Sequence, residues 1–517
     1  MNETKVVNPM PENENLRDQA LDLLKQYRAF WEVLTSKERP ALVEFINAPM
    51  HKCNRYVAEL AAHLNIALKN DRADLLNDEK LISRYSSGRK TDSAATHLSK
   101  LIQQFKTLLE LIEQFIVYTH VLNDKQAYQK ALLKSLKERN NHGLFLKAAA
   151  DLRTSLNRTT LTLMVAADKW WLEHQCYYDK YADQTNGSNT FEQNISSFDT
   201  FFELTTLSNY LEMFNRNVPD NDMIKKFDYA FEAISSGDNS KDPIVVKLYV
   251  KMINILKTKN VIPNLHYPDF KVSFYKAEYE LAKSDLLALS KTCANYISGL
   301  YYQLGTIWLD ELFEWLMYLY QKGLYAYEGS ISDGEYLNFF LVAQALGKYE
   351  VLEQFEETHS KLLDNSVKDQ VLSLCRSYTL QREHKINEAW DLLEKTFPLN
   401  YKTQLKYDLR IKELRAMLSY ENFLLDQKDE DYKEGVVKTM DNLKKYFQRL
   451  IEGEHLSEEH TSPHINFRWV VSKLYYYQKK TDEKEKAAIL EEILNLLNSN
   501  APLSNRLWIT HQLSKIA

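Results

Sequence analysis

The chain has 517 residues, 44% of them apolar and 26% charged, with only 12 glycines and 11 prolines. That length exceeds what one hydrophobic core organises, and the scarcity of turn residues excludes a turn-rich β protein in favour of an all-helical one. A formal net charge of −6 excludes a polycation that would bind nucleic acid or an anionic membrane through its total charge.

Residues 1–15, with Pro9 and Pro11, read as a disordered lead that lacks the apolar run of a secretory signal. A helical domain is expected over 16–185. It opens with Leu16, Ala20, Leu23, Tyr27, Trp31 and Leu34 at helical spacing. Leu101, Phe105, Leu108, Ile112 and Phe115 repeat the pattern more strongly. Ile102, Leu109 and Ile116 widen that stripe, as in a helix packed on two sides. Further helical patterns cover 129–140 and 144–182. A middle helical region, 200–330, carries patterns near 200–215, 222–235, 243–258 and 273–290. Glycine, serine and asparagine clusters at 186–189, 235–243 and 328–335, and "VIPNLHYP" at 261–268, read as loops.

The run from Thr292 to Leu309 has no charged side chain, and an aromatic-rich segment follows it. It contains Asn295, Ser298 and Gln303, and extending it brings in Asp310, Glu311 and Glu314. Charges near the centre of a membrane span are costly, so the run reads as buried inter-helix packing. The four cysteines are far apart in sequence, without a CxxC, which suits reduced thiols and a cytoplasmic location.

From 331 to 517 helix pairs recur. Patterns lie near 336–346, 349–363, 367–382, 386–396, 401–427, 432–451, 465–480 and 483–498, with "INFRWVV" at 465–471 also readable as a strand. Tight turns are expected at Gly347–Lys348 and near His384–Lys385; Gly347 and His384 are 37 positions apart, close to a helix-pair repeat. "GKYEVLEQF" and "KINEAWDLL" resemble the start of the second helix of tetratricopeptide repeats, with Ala389 as the small residue that lets helices approach. Leu352 stands at that place in the other unit. The fold expected is therefore all-α: an N-terminal helical domain followed by an α-solenoid of stacked antiparallel helix pairs.

Residues 30–175 carry a second resemblance. "LTSKERPALVEFINAPMHKCNRYVAELAAHL" resembles a signature of a bacterial family of uncharacterised all-helical proteins. Thr35–Glu38 match the start of its short helix and "NAPMHKCN" its turn, with Met50 and His51 in place of an aromatic pair. The resemblance implies helices and brings no established activity with it.

The strongest charge asymmetry lies between Arg84 and Arg158, with 13 Lys/Arg against 6 Asp/Glu, a net of +7. A short helix, a loop and a long helix there faintly resemble a nucleic-acid reader. In that reading Arg84, Arg89, Lys90, Lys100 and Lys106 contact phosphates. The alternative is a solvated helical surface.

Catalytic patterns are absent. "SSGRKT" at 86–91 lacks the first glycine of a phosphate loop and a preceding strand. His455, His460 and His464 with Glu454, Glu458 and Glu459 are zinc-type ligands, but the segment reads as a polar loop with Pro463. His51, Cys53 and His63 have no coordinating spacing. No catalytic, cofactor-binding or metal-binding residue is expected. Two functions follow: a non-catalytic repeat scaffold or adaptor for a protein or peptide partner, or a nucleic-acid-binding regulator that reads through 84–158 and senses through its repeats. Neither calls for a cofactor or a membrane.

Overall fold

A computed structural model describes residues 11–48, 51, 55–69, 93–179, 187–216, 222–237, 242–258, 265–327, 329–398, 405–453 and 458–516. Among them the protein is all-α, with 22 helices and no strand. The chain divides into two units, one of residues 1–158 and 178–186, the other of 159–177 and 187–517.

The first unit holds six helices: α1 (Pro11–Val33), α2 (Glu38–Asn47), α3 (Arg55–Lys69), α4 (Ala94–Asn123), α5 (Lys125–Glu138) and α6 (His142–Arg158). The wide stripe of α4 is buried on several sides, with Leu101, Phe105, Leu108, Ile112 and Phe115 packed against Tyr27, Leu42, Leu60 and Leu64. Thr35 and Glu38 start α2 reciprocally: the Thr35 hydroxyl and backbone N–H donate to the Glu38 carboxylate, and the Glu38 N–H donates back to Thr35 Oγ1. This is how a capping box satisfies the first N–H groups of a helix. The described part of the N-terminal lead, from Pro11, is helical; residues 1–10 lie outside the described residues.

The second unit begins with α7 (Leu163–Tyr177), α8 (Gly187–Asn215), α9 (Asp222–Ser235), α10 (Ile244–Lys257), α11 (Tyr267–Ala277), α12 (Lys283–Leu304) and α13 (Leu309–Gln321). The pattern expected as one helix over 144–182 is two. Thr162 starts α7 by accepting the Val165 N–H at 3.0 Å, and threonine favours such caps over helix interiors. The pattern over 273–290 is likewise broken, at 278–282. The uncharged run is core in part, with Thr292, Cys293, Ala294, Ile297, Leu300 and Leu309 buried and Asn295, Thr306 and Ile307 exposed; no helix among the described residues is long and apolar enough to cross a membrane. Trp315 is fully buried and its indole N–H donates to the Tyr267 hydroxyl at 2.6 Å. That supplies the polar end of a buried tryptophan with a partner. Cys176, Cys293 and Cys375 are buried.

Four helix pairs follow: α14 (Asp333–Ala345) with α15 (Tyr349–His359), α16 (Lys368–Arg382) with α17 (Ile386–Thr396), α18 (Leu405–Leu425) with α19 (Glu430–Glu452), and α20 (Glu458–Lys479) with α21 (Glu483–Asn498). A last helix, α22 (Arg506–Ser514), ends the chain. The first helices also pack in succession, α14 on α16, α16 on α18 and α18 on α20. The turns at Gly347 and His384 have the same geometry. Gly347 has φ +68° and His384 φ +60°. Lys348 N–H reaches back to the Ala343 carbonyl at 2.9 Å, as Lys385 N–H does to that of Leu380. A left-handed residue with this returning bond closes a helix C-terminus. Residues 465–471 lie inside α20. The polar loop expected before them is helical from Glu458, and Pro463 sits within the helix, its carbonyl accepting the Ser504 N–H at 3.1 Å.

Candidate functional site

A cavity of about 530 Å³ opens in the second unit. Three successive first helices line it, each with residues at helical spacing. Asn338, Leu341, Val342 and Ala345 come from α14; Tyr378, Gln381 and Arg382 from α16; Arg410, Met417 and Glu421 from α18. The second helices α15, α17, α19 and α21 contribute nothing to the lining. Asn295, Ser298, Tyr301 and Tyr302 of α12 form another wall, Leu309, Leu312 and Leu316 of α13 an apolar one, and Asn505, Trp508 and His511 at α22 also line it.

The C-terminal segment reaches its place through Arg506. Its guanidinium donates to the carbonyls of Tyr302 and Gln303 at 3.1 and 3.0 Å, and to those of Leu497 and Ala501 at 3.1 and 3.0 Å. Leu503 N–H adds a bond to Tyr302 O at 2.9 Å. The last carbonyls of a helix have no partner within it and carry the negative end of its dipole. Arg506 therefore joins α22 to the end of α12 in a way that suits both. Arg382 does the same at the end of α14, donating to the Gln344 and Ala345 carbonyls.

Glu421 fixes α22 from the other side. One carboxylate oxygen accepts from Gln381 Nε2 at 2.8 Å, Trp508 Nε1 at 2.8 Å and Gln512 Nε2 at 3.1 Å. The other is buried without a hydrogen-bond partner. Burial pushes the carboxyl above its ordinary pKa, against the lowering effect of these donors.

Near the cavity, Glu413 of α18 is fully buried. It accepts from His464 Nδ1 at 2.7 Å and from the Ser504 hydroxyl. Serine, histidine and glutamate thus meet, but the carboxylate stands between the other two. A histidine that activated the serine would have to hold its hydroxyl, and Ser504 is wholly buried. These bonds tie α18, α20 and the C-terminal segment together, and they hold the Glu413 carboxyl below its ordinary value against the effect of burial.

Of the residues read from sequence as phosphate contacts, Arg84, Arg89 and Lys90 lie outside the described residues. Lys100 and Lys106 stand on α4, with Lys106 exposed and Glu110 and Glu113 exposed one and two turns on. The "SSGRKT" segment and Cys53 lie outside the described residues, as do Glu454 and His455. Among the described residues no group of three or more metal-type ligands comes together. The cavity residues were missed in sequence because their types are ordinary and their positions span more than 200 residues. The one signal was the helical spacing that marked α14, α16 and α18 as a series.

Comparison with protein-family models, with curated proteins and with solved structures finds no match for this chain.

Proposed function

We propose that the protein is a non-catalytic helical-repeat scaffold, its second unit an α-solenoid of tetratricopeptide-like pairs that binds a protein or peptide partner. The observation that carries this reading is the division of labour among the pairs. In the first three pairs one helix lines the cavity and the other does not, while neither helix of the fourth pair does; a shared inner helix is how stacked helix pairs present an inner surface. That surface mixes rings, amides and aliphatic side chains, a composition suited to contact with a protein.

The test is affinity capture from native lysate, with and without nuclease, using the wild type and Asn338→Arg. Asn338 is exposed on the lining face of α14, so the arginine obstructs the inner surface without entering the core. A protein retained after nuclease and lost with Asn338→Arg supports the reading. Capture that nuclease abolishes favours the nucleic-acid regulator, and capture indifferent to Asn338→Arg moves the interface elsewhere.

A further inference from the structure

We propose that the cavity of the second unit is a binding site for a small organic anion that carries a carboxylate or phosphate group, with Arg410 as its principal charge. This goes beyond the scaffold reading and is independent of it, because a peptide held along the inner helices needs no charge in the cavity.

The argument begins with charge balance. Arg382 and Arg410 both line the cavity, and Arg506 stands at its edge beside Tyr302. None of the three has a carboxylate oxygen within 4.0 Å among the described residues. Arg382 and Arg506 donate to helix-end carbonyls, whose partial charge offsets theirs only in part. Arg410 hydrogen-bonds the Tyr302 side chain, and its charge is felt by Tyr378 and Glu413. The only carboxylate in the lining is Glu421, engaged with α22 on one oxygen. Burial moves Glu421 toward its neutral form, which weakens its opposition to an anion.

Arg506 is buried, Arg410 half-buried and Arg382 exposed, and cations without an ion-pair partner favour the binding of an anion. A cavity that concentrates them in a low-dielectric wall attracts an anion from solution, because such walls focus the field. Guanidinium groups suit carboxylate and phosphate oxygens through paired N–H donors. The rest of the lining supplies what an organic body needs: the rings of Tyr301, Trp508, His384 and His511, and the amides of Asn295 and Asn338. His384 and His511 are stacked with centroids 6.2 Å apart. His384 holds a left-handed backbone conformation that glycine adopts more cheaply. The histidine there places an imidazole at the cavity wall. The volume, about 530 Å³, falls in the range of small-molecule pockets.

The experiment uses the full chain and two probe anions, citrate and inorganic phosphate, each against sodium chloride of matched ionic strength. A ligand that binds only the folded state raises the melting temperature. The expected result is a saturable rise of about 2 °C or more over chloride with at least one probe, abolished by Arg410→Gln. A response to citrate alone assigns a carboxylate, and a response to phosphate alone assigns a phosphate ester. A second measurement needs no variant: bromide soaked into crystals should give an anomalous peak among Tyr301, Arg382 and Arg410. The proposal is overturned if neither probe exceeds chloride, if a folded Arg410→Gln protein responds as the wild type does, or if bromide occupies only the outer surface.

Discussion

Asp285 sits in the first turn of α12, and burial raises its carboxyl from 3.8 to about 6, opposed by the hydrogen bond from Tyr249. That bond, from the Tyr249 hydroxyl to Oδ1, is 3.0 Å long, and Oδ2 is buried with no partner. A folded-state pKa above the unfolded one means that the folded protein binds the proton more tightly. The stability this group contributes is therefore full below about pH 4 and lost as pH rises through about 6, on the order of 2–3 kcal/mol in total. Asp285→Asn keeps an acceptor for Tyr249 and removes the charge. Thermal melts should show the variant gaining on the wild type from pH 4 to pH 8. A difference that is constant with pH would mean that Asp285 stays ionised in the folded protein.

At the scale of elements, α22 is a short helix whose position depends on polar contacts. Glu421→Ala would remove the shared acceptor and leave the Gln381, Trp508 and Gln512 donors unmet, at a cost of about 1–3 kcal/mol for buried groups. Glu421→Gln keeps an acceptor oxygen and should cost less. Hydrogen exchange would check this: faster exchange over 506–514 in the alanine variant, little change in the glutamine variant, and none in α4. Equal effects of the two substitutions would remove hydrogen bonding as the reason α22 docks. The turns that organise the pairs were legible in the sequence, because Gly347 supplies the left-handed residue that such a helix end requires. The matching turn near His384 is read from the helical patterns on either side of it, 37 positions after Gly347, and not from its residue type. The breaks at 159–162 and 278–282 were not legible, since apolar spacing continues across both. The docking of α22 was invisible for another reason. Arg506 acts on carbonyls of Tyr302 and Gln303, and no side-chain pattern reports where a distant helix exposes its last carbonyls.

For the whole molecule the division into two units has a measurable consequence. Stacked pairs are stabilised mainly by their neighbours, so damage to one turn should travel within the second unit. A Cβ at Gly347 would meet only Tyr349 Cε2, at 3.8 Å, so the cost of Gly347→Val lies in the positive φ, about 1–3 kcal/mol. Protection against hydrogen exchange should fall across roughly 331–400, which spans the flanking pairs, and persist in α4, whose core lies in the other unit. Loss along the entire chain would mean that the two units unfold as one.

The bond from Arg506 to Tyr302 spans 204 residues. A ribosome releases the end of α12 long before the arginine that caps it. At about 5–20 residues per second the interval is roughly ten to forty seconds. Throughout that time the terminal carbonyls of α12 face water and the wall later formed by α22 is missing. A chain lacking residues 506–517 would hold four assembled pairs around an unclosed interior, with the Arg506 joint never made. The closing of this interior therefore waits on a contact made more than 200 residues after the helix it completes.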